Sequence, residues 1–272
     1  MRTFVTFLAV FALMTAACGG GVGSRLPDDP DAPVLQVRSE GGFAPMMFLL
    51  NRAPRYTLTA GGDLIFEGPA PGAFPGPMLI GLQATRVDAA TMERILEVVD
   101  AMGLAGIDFE ANTEASSRVA DATTEVVTFF DAEGRPHRFA VYALGLVPSS
   151  DPRVARFEEL AALLEEAADS GTAVPYVGQR LQVWVGPAEG PAERPISDVR
   201  DWPLPEAFDD LVPVFAGWRC AAYEGAERDR LVELFSDATQ ATRWRSGDAE
   251  YTMLARPLVP GEEPCAAPVG PG

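Results

Sequence analysis

The sequence contains no lysine; all 21 of its basic residues are arginine. That absence closes several mechanisms at once, because there is no amine for a Schiff base, no lysine for a phosphate-binding loop and no Ser-x-x-Lys pair. Histidine is almost as scarce. His137 stands alone, so a zinc helix built on two histidines is impossible, and no Gly-x-Ser-x-Gly elbow occurs. A Ser-His-Asp arrangement would have to use His137. That residue lies among charged neighbours in Asp-Ala-Glu-Gly-Arg-Pro-His-Arg, 131–138, and reads as an exposed turn histidine. Positive charge is short overall: 21 arginines against 39 acids leave −18 at pH 7. Nucleic acid and anionic lipid headgroups are thereby disfavoured as partners. With so many acids, some pair will always fall at the glycosidase spacing of about 5–10 Å, so their presence alone says nothing about catalysis.

Long hydrophobic runs are missing as well. The longest, residues 4–14 of MRTFVTFLAVFALMTAACGGGVGS, follows Arg2 and precedes Thr15-Ala16-Ala17-Cys18. A spanning helix needs about 20 apolar residues, so this run reads as the core of a signal peptide. The order of apolar run, small residues and Cys18 resembles the lipobox of bacterial lipoproteins, with Thr15 where that family usually carries leucine. The resemblance implies cleavage before Cys18, a diacylglyceryl group on its sulfur and attachment to the outer face of the cell membrane. Ordinary secretory cleavage after Ala17 is the alternative. Cysteine arithmetic favours the lipid. Only Cys18, Cys220 and Cys265 are present; with Cys18 a thioether, the other two form one pair in a compartment where disulfides persist. Two buried free thiols are the competing account.

What is present is enough for a core, with 47% hydrophobic residues. The expected layout is a signal peptide over 1–17, a lipid-anchored flexible linker over 18–33, a domain over 34–170, a second over 171–265 and a disordered tail over 266–272. In the linker, three glycines after Cys18 precede a stiffer acidic stretch, and Asp28, Asp29 and Asp31 lack calcium-loop spacing. All four tryptophans, Trp184, Trp202, Trp218 and Trp244, fall after Gly171, which supports a boundary there.

In the first half, residues 34–37, 46–50, 55–59 and 63–67 read as short strands, with Gly61-Gly62-Asp63 as a hairpin turn. Tyr56 and Leu58 should share one face. The stretch 68–77, GPAPGAFPGP, cannot hold a helix or a central strand. A long loop displaying Phe74 is the first candidate for ligand contact, an idle connection being the plain alternative. Asp88 should cap a helix ending near Met102 and Gly103, with Met92, Ile95, Leu96, Val99 and Met102 on its apolar stripe. A hairpin of 125–130 with 137–144 follows, then a helix from Pro152 to about residue 168. In the second half, 176–185 reads as a strand, 186–203 as a polar excursion, 218–223 as a strand, 226–238 as a helix, and 242–245 with 250–258 as a hairpin. Trp202 there is either an aromatic anchor for a peptide or glycan or a lid on the core. The tripeptides Leu35-Gln36-Val37 and Leu181-Gln182-Val183 match over too few residues to make a repeat. The expected class is α+β, antiparallel sheets with packed helices, in two small domains.

Tyr56, Leu58, Gly62-Asp63 and Gly68, followed by the capped helix, Ala120-Asp121-Ala122 and the strand 126–131 ending at Gly134, carry a resemblance. Residues 34–168 are similar to a domain of unknown function found in bacterial lipoproteins and secreted proteins. The chain departs from it where Gly42, Phe43 and Pro45 replace a cysteine pair. The whole chain is also similar to uncharacterised actinobacterial lipoproteins ending in Arg-Pro-Leu-x-Pro-Gly-Glu, here 256–262. The resemblance implies fold and export and brings no activity, cofactor or metal. Two functions remain. One is a non-catalytic envelope lipoprotein binding another protein, a glycan or a small ligand; the other is a hydrolase using two carboxylates. Facing acids in a concave cleft, one of them poorly solvated, would distinguish the second.

Overall fold

The computed structural model describes residues 26–69, 75–103, 108–112, 119–188 and 198–266. Cys18 and Phe74 lie outside them. The fold is mixed α+β with two sheets. The first has eight strands: β1 (Pro33–Gly41), β2 (Tyr56–Thr59), β3 (Asp63–Glu67), β4 (Leu82–Arg86), β5 (Phe109–Ala111), β6 (Thr123–Phe130), β7 (Pro136–Tyr142) and β8 (Val174–Pro175). Their order is β5-β7-β6-β1-β2-β3-β4-β8, and only β5 runs parallel to its neighbour. The second sheet has six: β9 (Arg180–Pro187), β10 (Val199–Asp201), β11 (Val212–Phe215), β12 (Trp218–Glu224), β13 (Arg243–Ser246) and β14 (Ala249–Pro257). Their order is β10-β13-β14-β9-β12-β11, with β10 parallel to β13.

Besides a short α1 (Met46–Leu50), the helices α2 (Ala89–Met102) and α3 (Pro152–Ser170) cover one face of the first sheet, and α4 (Gly225–Phe235) packs on the second. Asp88 Oδ1 accepts the Thr91 N–H at 2.7 Å, satisfying one of the orphan donors of α2. Gly103 ends that helix in the left-handed region at φ 65. Asp151 caps α3 through the Arg153 N–H at 2.9 Å, with Pro152 in the first turn. The expected stripe of α2 is buried, and α3 buries Val154, Phe157, Leu160, Leu163, Leu164 and Ala167.

Four expectations are corrected. Residues 46–50 form helix α1, not a strand. An apolar run of five cannot choose between the two by period. Here β1 is already flanked by β2 and β6, so the sheet offers it no vacant edge, and the Pro45 carbonyl closes a turn onto Phe48 and Leu49. The strand expected over 176–185 starts at Arg180 instead. The Tyr176 N–H still bonds Leu82 O of the first sheet at 2.8 Å, and the chain crosses over at Gly178, where an added Cβ would stand 2.7 Å from Leu258 O. Helix α4 stops at Phe235 rather than 238, because the next residues pair elsewhere: Ala238 O accepts the Met78 N–H at 3.0 Å. Finally, residues 26–33 are not free linker. Leu26 packs on the first core, and the carbonyls of Pro30 and Ala32 accept the N–H groups of Gly61 and Ala60 at 2.7 and 2.9 Å.

The period-2 pattern gave each sheet one apolar face, yet both faces are covered. Tyr56 and Leu58 enter the helix-side core as expected, while Gln36, Thr57 and Thr59 on the other side are also buried. Ile65 and Leu82 meet Val259 there, with Tyr176 alongside. Burial, helped by the charges of Glu262 and Asp31, pushes the Tyr176 phenol up to about 12. The second sheet is joined to the first by residues 75–80, the end of the proline-rich stretch. Met78 and Ile80 alternate bonds with Ala255, at 3.2 and 3.0 Å. Pro77 bridges to Thr239 and Leu79 to Ala255. Met78 itself is fully buried in the second core.

This strap makes a cooperative coupling that can be measured. Met78→Ala should cost about 2–5 kcal/mol in chemical denaturation. Because the tryptophans all lie in the second half, fluorescence should then unfold ahead of far-UV circular dichroism, whereas the two coincide in the parent chain.

Candidate functional site

The inner faces of the two sheets diverge near the end of β1 and leave a cleft of about 320 Å³. One wall is the end of β1, Arg38 to Gly41, with α1 and Arg52 behind it. The other carries Gln182 and Trp184 of β9 and Arg256 of β14. Alternation explains why these residues face it: Leu181, Val183 and Val185 occupy the core under α4, so Gln182 and Trp184 project the other way. The floor is the returning chain 261–266.

Two interactions hold that returning chain. Cys220 and Cys265 form a disulfide with Cα atoms 5.5 Å apart, closing a separation of 45 residues. Arg256 meets Glu262 through both carboxylate oxygens, at 2.6 and 2.9 Å. These side chains are only 6% and 8% exposed. Glu262 also accepts the Val259 N–H at 3.1 Å, and its carbonyl takes a bond from Arg180 at 3.0 Å. The Cys265 N–H donates to Gln182 Oε1 at 2.7 Å, and Gln36 Nε2 donates to Pro260 O at the same distance. Both glutamines of the two Leu-Gln-Val tripeptides therefore serve one purpose, tying the returning chain to each sheet.

The other charges of the cleft divide unevenly. Glu40 is engaged by Arg138 Nη2 at 2.7 Å. Arg38 donates through Nη2 to Gln36 Oε1 at 2.8 Å, and Arg52 through Nη1 to the carbonyls of Ser39 and Gly41 at 3.1 and 3.4 Å. Neither guanidinium has a carboxylate within 4.0 Å among the described residues. Buried N–H groups at Arg38 Nε, Arg256 Nε and Trp184 Nε1 have no acceptor there either, an arrangement that costs desolvation without return. Chemically, this cleft offers donors. The acids lining it, Glu40, Glu262 and Glu263, do not form a facing pair with one poorly solvated member: Glu262 is buried but spends both oxygens on Arg256, and Glu263 is exposed. No group of three His, Cys, Asp or Glu side chains is placed to hold a metal among the described residues, and no helix there is long and apolar enough to cross a membrane.

The residues singled out from sequence fall elsewhere. Trp202 packs over the second core, its ring edge-on to Tyr251 at 5.2 Å and its N–H on Glu206 O at 2.8 Å. His137 is not an exposed turn residue; its side chain is 15% exposed, and Nε2 lies 3.3 Å from Asp131 Oδ2. Desolvation of Asp131 opposes its ionisation, but the Arg135 N–H, the His137 ring and the Arg135 guanidinium outweigh it and hold the carboxyl down at about 2. The cleft arginines were missed, although a signal existed: Arg38 directly follows Val37 in β1 and Arg256 directly follows Met253-Leu254-Ala255 in β14, so each puts a charge beside buried apolar residues, a costly placement that needs a compensating role. No known protein family, curated protein or solved structure is matched by the chain.

Two outcomes follow from these charges. Arg256→Met or Glu262→Leu alone should cost about 3–5 kcal/mol by leaving an unpaired buried charge, while the double variant recovers most of it, as a double-mutant cycle on denaturation will show. Asp131 has a depressed carboxyl, so its contribution is complete above the ordinary value near 4 and is lost as pH falls through about 2. Asp131→Asn should flatten that part of an acid-denaturation profile.

Proposed function

We propose that the chain is an exported envelope protein, anchored by a lipid on Cys18, with a non-catalytic binding role, and that its ligand site is the cleft between the sheets. Export rests on the short apolar run, the lipobox resemblance and the resemblance of residues 34–168 to a domain of bacterial lipoproteins. The Cys220–Cys265 bond suits an oxidising compartment. The binding role rests on one observation: two arginines without carboxylate partners among the described residues, Arg38 and Arg52, line a concave cleft between packed sheets. Sites of this kind, concave with a few placed polar groups, are where small ligands bind. A hydrolase would need a free acid opposite another, and the buried acid of the cleft is fully occupied by Arg256.

Both parts are testable in cells. Cys18→Ser should appear in the medium or as unprocessed precursor; a substituted protein that is still processed and membrane-bound defeats the lipid anchor. For the cleft, wild type and Arg52→Glu should be purified from envelope and their small molecules released by denaturation for mass spectrometry. A compound should accompany the wild type and be lost from the variant. Equal recovery from both removes the cleft as the binding site.

A further inference from the structure

We infer that the cleft takes a small organic monoanion, a carboxylate or a phosphate diester on a compact apolar body, with Arg38 and Arg52 as the anion clamp. The inference rests on the cleft being the ligand site and adds the chemical class.

The protein is strongly acidic, at −18, and its other arginines are largely spent on its own acids; twelve of them make ion pairs among the described residues. Two that do not, Arg38 and Arg52, stand together at the cleft. Each is oriented by neutral acceptors instead, Arg38 by Gln36 and Arg52 by two strand carbonyls. Those bonds use one terminal nitrogen of each guanidinium. A guanidinium has five N–H donors in a fixed fork that matches an oxyanion with two parallel bonds. Held in place before the ligand arrives, it loses little side-chain entropy on binding.

The rest of the lining sets the limits of the ligand. Leu49, Leu50, Pro54 and Trp184 give an apolar side, so a bare inorganic ion would leave most of the space without partners. A volume of about 320 Å³ lies at the small end of ligand sites. Glu263, exposed at the edge, carries negative charge without an arginine partner among the described residues. It would repel a second negative group, which argues for a monoanion over a polyphosphate. A cation is disfavoured because Glu40 and Glu262 are already paired.

The test is titration of the purified full chain with benzoate and methyl phenyl phosphate, both singly charged, and with benzamide as the neutral isostere of benzoate, followed through the Trp184 indole N–H in nitrogen-15 correlation spectra. Benzoate, methyl phenyl phosphate or both should move that signal saturably, with benzamide weaker by about tenfold or more. Arg38→Gln and Arg52→Gln should each weaken the anion by about tenfold or more, while Arg94→Gln on the exposed face of helix α2, which changes net charge equally, leaves it unchanged. Benzamide binding as tightly as benzoate overturns the inference and leaves the cleft standing as a site for neutral ligands. Absence of any shift from the anions up to about 20 mM, while an envelope compound still binds in an Arg52-dependent way, also overturns it and spares the wider reading. The benzoate and benzamide comparison uses the parent chain, so it decides the matter even where a variant fails to fold.

Discussion

Everything at the cleft depends on the return of residues 258–266 across the first sheet. That segment covers part of the first sheet's far face: Gln36 donates to Pro260 O, and Val259 packs on Ile65 and Leu82. The ion pair of Arg256 with Glu262 holds the middle of this segment and the disulfide holds its end. Their energetics differ. Closing 45 residues removes loop entropy from the unfolded chain, about 4 kcal/mol in the chain-entropy account. The buried pair contributes little net stability after desolvation. What it contributes is registry: two bonds in a fixed plane, with the Val259 N–H on the same carboxylate, allow the segment one position along β14.

Local chemistry made much of the fold legible. Asp88 and Gly103 bound one helix and Asp151-Pro152 began the other, because caps and φ restrictions act within a few residues. The hairpins about 61–63, 131–134 and 246–248 were readable for the same reason. The disulfide followed from parity once Cys18 was set aside. The failures are also physical. Residues 46–50 are apolar enough for either element, and their state was decided by β2 and β6 having filled both sides of β1. Strands β4, β5, β8, β10 and β11 carry little period of their own and exist as additions to edges already formed.

The site was the least legible part, and the reason lies in alternation. In a strand that reads apolar, polar, apolar, the polar residue is assigned to solvent. Gln36 and Gln182 fit that pattern and are 2% exposed. The assignment fails because a second layer covers the polar face, and that layer is built from residues more than 200 positions away from Gln36. The described end of the proline-rich stretch, residues 75–77, lies in no strand or helix, as its composition implied, but the Gly76 carbonyl accepts the Gln240 N–H, Pro77 bridges to Thr239, and the residues that follow bond to Ala255 of β14. Proline at 75 and 77 stops 75–80 from joining the first sheet as a central strand and leaves Met78 free to enter the second core.

The same double coverage explains how a strongly acidic protein keeps two cationic groups available. On an open surface with 39 acids in the chain, an arginine has many carboxylates within reach of its long side chain, and most of those in this structure have found one. Arg38 and Arg52 have none among the described residues, and neutral acceptors fix where their guanidinium groups stand: Arg38 leans on Gln36, itself held by Pro260 O, and Arg52 on the carbonyls of the strand end. Glu40, two residues from Arg38 and therefore on the same face of β1, is taken instead by Arg138 of β7, two strands away across β6. The uncompensated charge is thus a product of packing rather than of composition. It required the strand end, the returning segment and the neighbouring ion pairs to be in place together.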